Sequence, residues 1–89
     1  MQDVVYMKYT FRPVAGKDDH LYCRQLKVTV ECTGAFPKTS DPCWCAWRNG
    51  VKGEREYYSN AAGAQKRFTT ARACVESVVQ SDWLVGTDE

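Results

Sequence analysis

Hydrophobic and polar residues alternate along the first third of the chain. From Val4 to Arg12, Val5, Met7, Tyr9 and Phe11 fall on one side while Lys8, Thr10 and Arg12 fall on the other, a period of two that predicts a half-buried β-strand. Pro13 then removes a backbone donor, and the polar run from Gly16 to His20 predicts a turn. The alternation resumes from Tyr22 to Cys32, with Tyr22, Leu26, Val28, Val30 and Cys32 toward a core and Cys23, Gln25, Lys27, Thr29 and Glu31 toward water. Arg24 is the one polar residue on the apolar side, near the strand end where its stem can lie on apolar surface. The polar opposite face predicts a sheet covered on one side only, as antiparallel sheets commonly are.

Gly34, Pro37 and Pro42 make Thr33 to Pro42 a predicted loop. The next stretch, Cys43 to Tyr58, sets aromatic residues on both sides of Asn49-Gly50, a strong hairpin signal. Two registers compete. A two-residue turn at Asn49-Gly50 sets Arg48 opposite Val51, whereas a loop from Asn49 to Gly53 sets Arg48 opposite Glu54, Trp44 opposite Tyr58 and Trp47 opposite Arg55. The longer loop pairs opposite charges and stacks aromatic on aromatic, so it is the expected one. Ser59 to Arg67 is poor in bulky side chains and reads as a connector.

From Thr69 to about Ser81 the period changes to that of a helix. Thr69 or Thr70 can cap it, Phe68 precedes the cap as a staple residue would, and Ala71, Cys74, Val75 and Val78 recur at i, i+3, i+4 and i+7. Asp82 would fall inside the apolar arc, so the helix should stop there, with Trp83 and Leu84 packing back and a frayed tail from about Gly86. These elements predict one α+β domain over residues 1–89: a four-stranded antiparallel sheet with one C-terminal helix packed on one face, most simply a meander.

Composition narrows the classes of function. The 44% hydrophobic and 26% charged fractions are ordinary for a globular domain, and no run approaches the roughly 20 apolar residues of a membrane-spanning helix. The N-terminus lacks the basic and apolar regions of a secretory signal, which predicts a cytoplasmic protein. Twelve basic residues against eleven acidic ones remove the usual charge argument for a dedicated nucleic-acid binder. The cations nevertheless gather between Arg48 and Arg72. Five cysteines, an odd number in a chain read as cytoplasmic, predict reduced thiols.

No motif dictates a reaction. Cys43-x-Cys45 lacks the two- to four-residue spacing of zinc knuckles, and on a single strand Cys23 and Cys32 would point to opposite faces, so no metal and no cofactor is expected. His20, the single histidine, lies in a polar loop with nothing to bring it to a thiol. The chain is therefore expected not to be an enzyme. The hairpin carries the strongest functional signal, because an outward Trp44 and Tyr58 beside Arg48 would combine the residue types most enriched at binding hot spots.

W-R-N-G in the hairpin and F-T-T-A-R-A at the helix start, within Cys43 to Gln80, loosely resemble the sheet-plus-helix DNA-binding domains of integrase N-termini and certain plant transcription factors. That resemblance implies arginines and aromatics on a sheet laid in a major groove. In size and lack of motifs the chain is also similar in style to phage accessory proteins that inhibit host machinery, anti-CRISPR proteins among them. The leading expectation is a non-catalytic binding protein that occupies a macromolecular partner, protein favoured over nucleic acid, through Trp44, Arg48, Lys52, Arg55, Tyr58, Lys66 and Arg67. The alternative is a nucleic-acid-binding domain using the hairpin and the helix N-terminus.

Overall fold

A computed structural model describes residues 2–83 of the chain, so the expected packing of Leu84 and the tail from Gly86 lie outside the described residues. The strands are β1 (Val4–Tyr6), β2 (Tyr9–Pro13), β3 (His20–Cys23), β4 (Val28–Ala35), β5 (Pro42–Asn49) and β6 (Arg55–Tyr57), followed by helix α1 (Ala71–Gln80). All strands join one antiparallel sheet in sequence order, a meander, with α1 on one face. The α+β antiparallel architecture is as predicted. The count of four strands is not: six lie among the described residues.

The two extra strands arise where tight turns cut the predicted long ones. Met7-Lys8 folds Val4–Arg12 into a hairpin in which Tyr6 faces Tyr9, with Met7 at φ 55. Arg24 to Lys27 turns Tyr22–Cys32 back so that Cys23 faces Val28, with Lys27 at φ 58. Neither turn contains the glycine or asparagine that usually supplies positive φ. A side chain holds the second turn in place: the Gln25 amide donates to Lys8 O at 2.9 Å and its oxygen accepts from Thr10 N at 3.3 Å, clipping the β3–β4 loop onto β2.

The second turn also reverses which side β3 presents. A four-residue loop puts Cys23 and Val28 on one face, whereas an unbroken strand would put them on opposite faces. Cys23 is therefore buried and Tyr22 exposed, the reverse of the alternation read across 22–32. In another departure, β4 continues to Ala35, with a bulge between Cys32 and Ala35 where Gly34 adopts φ 138.

The hairpin register also differs from the expected one. The loop runs over residues 50–54, and Arg48 faces Glu56, Trp47 faces Tyr57 and Asn49 faces Arg55. Glu54 has become part of the loop: its backbone carbonyl accepts from Gly50 N at 2.6 Å and its carboxylate from Lys52 N at 3.0 Å, while Gly53 provides φ 86. The shift is two residues, so side chains expected to share a face still share one and only their cross-strand partners change. Arg48 still meets a glutamate, Glu56, at 2.5 Å.

Phe11, Leu21, Cys23, Val28, Val30, Trp44, Ala46 and Tyr58 on the sheet side pack with Cys74, Val75 and Val78 of the helix. This is the helical face read from the sequence, set against the predicted Val28 and Val30. Thr70 caps α1, its hydroxyl accepting from Ala73 N at 3.0 Å. Ser81 ends it in an extended conformation, and its hydroxyl accepts from Trp83 N at 3.2 Å. Trp83 thereby returns to the core edge, 5.2 Å from the Tyr58 ring and under the Arg48 guanidinium at 4.6 Å. Among the described residues no helix is long and apolar enough to cross a membrane.

Candidate functional site

Because α1 covers one face of the sheet, strand parity decides which side chains remain on the other. Successive registers build a continuous cross-strand row there: Arg12 faces Tyr22, Tyr22 faces Thr29, Thr29 faces Trp47 and Trp47 faces Tyr57. A second row beside it runs from His20 through Glu31 to Cys45. This helix-free face holds the most developed polar and aromatic arrangement in the described residues.

Glu31 is its pivot. The carboxylate is nearly buried, yet it accepts a hydrogen bond from Trp47 Nε1, lies 3.3 Å from Arg55 Nη1 and lies 3.3 Å from His20 Nε2. A buried carboxylate without partners would be costly, so two donors, Trp47 from β5 and Arg55 from β6, with the His20 imidazole close by on β3, account for its tolerance on the sheet. Arg55 sits 4.1 Å from the Trp47 ring centroid and 3.3 Å from the Tyr57 hydroxyl, so its guanidinium is tied to a carboxylate and a phenol while lying over an indole. The hydrogen bond to Tyr57, foremost, raises the already high pKa of Arg55.

The seven residues expected to contact a partner are divided by the fold. Trp44 and Tyr58 form no exposed pair: they are only 7% and 3% exposed, in the core under α1. Trp44 pairs through its backbone with Phe68, and the Tyr58 hydroxyl lies 2.9 Å from Ser77 Oγ and 3.3 Å from Lys66 Nζ. Arg48 also points to the helix side, between Glu56 and Trp83. Lys52 is exposed at the hairpin tip. Only Arg55 and Arg67 border the helix-free face, the latter lining a hollow of about 320 Å³ with Tyr57 and Gln65.

Sequence reasoning missed Tyr22, Trp47, Tyr57, Arg12, Arg24, Glu31 and His20 as a group. One signal was present, since Trp47 shares a face with Cys43 and Cys45 in the correct parity. The assignment of that face to the outside required knowing that Trp44 and Ala46 lie opposite Cys32 and Val30.

The thiols are all unpaired. Cys23 and Cys32, expected on opposite faces, share the helix side because they stand on different strands, while Cys43 and Cys45 share the other. Cys45 and His20 flank Glu31 from opposite sides, two strand spacings apart, roughly 10 Å and too far for a thiol and its base. Burial raises the Cys45 pKa and the charge of Glu31 raises it further, which disfavours the thiolate a nucleophile needs. Among the described residues no three His, Cys, Asp or Glu side chains gather as a metal site would require. The arrangement is suited to holding a ligand by stacking and charge. No protein-family model, curated protein or solved structure matches the chain.

Proposed function

We propose that this chain is a non-catalytic binding protein that works in the cytoplasm by seating a macromolecular partner on the helix-free face of its sheet. The observation that supports this reading is the row from Arg12 through Tyr22, Thr29 and Trp47 to Tyr57, with Trp47 and Arg55 held by Glu31 and exposed cations at its flanks. Aromatic and arginine side chains so fixed lose little freedom on binding, which is the property of interface anchors. The proposal moves the contact surface away from Trp44 and Tyr58, which serve the core, and keeps Arg55 and Arg67. An accessory inhibitor of host machinery, of the phage kind, needs no more than such occupancy.

The test is capture from a source-cell lysate, with and without nuclease, using wild type, an Arg55→Glu/Arg67→Glu variant and an Arg72→Glu variant, each first shown to be folded. Arg72 is exposed on α1, at the opposite side of the molecule, and serves as the control. Loss of the partner with the Arg55/Arg67 variant and its retention with Arg72→Glu is the expected result. The reverse pattern would place the partner on the helix side and overturn the assignment of the face.

A further inference from the structure

Charge on the helix-free face is far less balanced than in the chain as a whole. Acidic side chains on it lie against arginines: Asp3 is 3.8 Å from Arg12, and Glu31 is bound to Arg55. Glu56, at the rim of one hollow, is held by Arg48. Arg24, Lys27 and Arg67, by contrast, have no ion-pair partner among the described residues. The face therefore presents uncompensated positive charge although the net charge of the chain is only +1.

Those cations alternate with the aromatic rings. A hollow of about 460 Å³ has Tyr22 with Arg24 and Arg12. The neighbouring one, of about 570 Å³, shares Tyr22 and adds Trp47 and Lys27. Beyond Trp47, the third has Tyr57 with Arg67. Each hollow thus pairs a flat π surface with a cation, and the three succeed one another across the strands. From Tyr22 on β3 to Tyr57 on β6 is three strand spacings, roughly 14 Å, room for two or three stacked bases. At the centre the Arg55 guanidinium, already fixed over Trp47, offers a second flat cation on which a base can lie.

We propose that this face is a stacking platform for single-stranded nucleic acid, in which Tyr22, the Trp47/Arg55 pair and Tyr57 take bases while Arg24, Lys27 and Arg67 take phosphates. The inference rests on the binding reading given above and names its partner. A polymer that repeats a flat ring and an anion matches the alternation of ring and cation. A duplex hides its ring faces in its own stack and would leave the aromatic row without a role. A protein partner would want a contiguous apolar centre with few charges, whereas cations here run the length of the row.

The experiment is fluorescence anisotropy with labelled twelve-nucleotide oligothymidylate and oligouridylate, and with a mixed-sequence single strand and its duplex, at 50 and 200 mM salt. Single strands should bind with Kd on the order of micromolar at the lower salt, and at least tenfold more tightly than the duplex. Three phosphate contacts give a log-log salt slope of about −2, from about 0.7 per phosphate on a single strand. Trp47→Ala should weaken binding about tenfold or more, as loss of one stacked base does. Since Trp47 also supports Glu31, Tyr22→Leu at a more exposed ring provides an independent test and should weaken binding at least threefold. Arg24→Glu/Arg67→Glu should reduce affinity and flatten the salt slope by about 1.4, while Arg72→Glu should change neither.

Failure of every single strand to bind at 50 mM salt, equal affinity for duplex, or full affinity in folded Tyr22→Leu would each overturn the proposal. If lysate capture nevertheless resists nuclease and is still lost with the Arg55→Glu/Arg67→Glu variant, the face remains a binding surface and the partner is a protein.

Discussion

Val78→Asp should remove much of the protein's stability and lower its melting temperature steeply. Val78 is fully buried on α1, within the cluster that joins Cys74 and Val75 of the helix to Val28, Val30 and Ala46 of the sheet. No cation among the described residues lies in that cluster, so an aspartate there must either ionise without a partner or bind a proton at neutral pH. Either course costs about 3 to 5 kcal/mol, much of the total stability of a small domain, on the order of 5 to 13 kcal/mol at 89 residues. Arg72→Asp, exposed in the first helical turn, should melt close to wild type. Circular dichroism melts of the two variants decide the matter. A cooperative Val78→Asp transition near the wild-type temperature would mean that α1 does not pack by this face.

The second large effect is alkaline. Cys74 is buried among apolar side chains, and that burial pushes its thiol from the ordinary 9.0 up to about 12. The folded protein therefore holds a proton that the unfolded chain releases. The contribution of the neutral thiol is fully present below about pH 9 and is lost as pH rises toward about 12. Over that window it amounts to about 4 kcal/mol, at about 1.4 kcal/mol per unit. Burial raises Cys23 and Cys45 in the same sense. Tyr58 opposes them: burial raises its pKa, but hydrogen bonds with Ser77 and Lys66 outweigh that and leave the phenol below its ordinary value. Denaturant titrations at pH 8 and pH 11 should show wild type losing roughly 2 to 3 kcal/mol through this thiol, and Cys74→Ala losing distinctly less. Equal losses in the two proteins would show that Cys74 does not drive the alkaline transition.

Much of the helix was legible from the sequence because its signals are local. Thr70, the spacing of Ala71, Cys74, Val75 and Val78, and the intrusion of Asp82 all lie within a few residues of what they specify. The sheet was legible in kind and misread in number. Met7-Lys8 and Arg24 to Lys27 turn without glycine, proline or asparagine, and the clip that holds the second one joins Gln25 to Lys8 and Thr10 across some sixteen residues. Missing a turn in a pattern of period two then exchanges inside for outside. This is how Tyr22 came to be read as core and Cys23 as solvent-facing, although Glu31 was placed on its true side. The hairpin misled in the opposite way, since Glu54 and Glu56 stand two apart and satisfy the same charge argument with Arg48. Local loop hydrogen bonds, invisible to pattern, decided between them.

The meander has a consequence for the order in which the molecule assembles. Every strand pairs with its neighbour in sequence, so each pairing requires only a short loop to close, at small entropic cost. Completion of the apolar layer is different, because α1 packs against β4 and β5 and also reaches β1, where Gln80 donates to the Tyr6 hydroxyl. That contact spans 74 residues. Strand ladders should therefore form before the layer beneath α1 is sealed, leaving for a time a sheet with one bare oily side. In stopped-flow refolding, amide protection in β3 to β5 should rise ahead of the fluorescence change as Trp83 docks on Tyr58. Simultaneous appearance of the two would mean that sheet and helix condense in a single step.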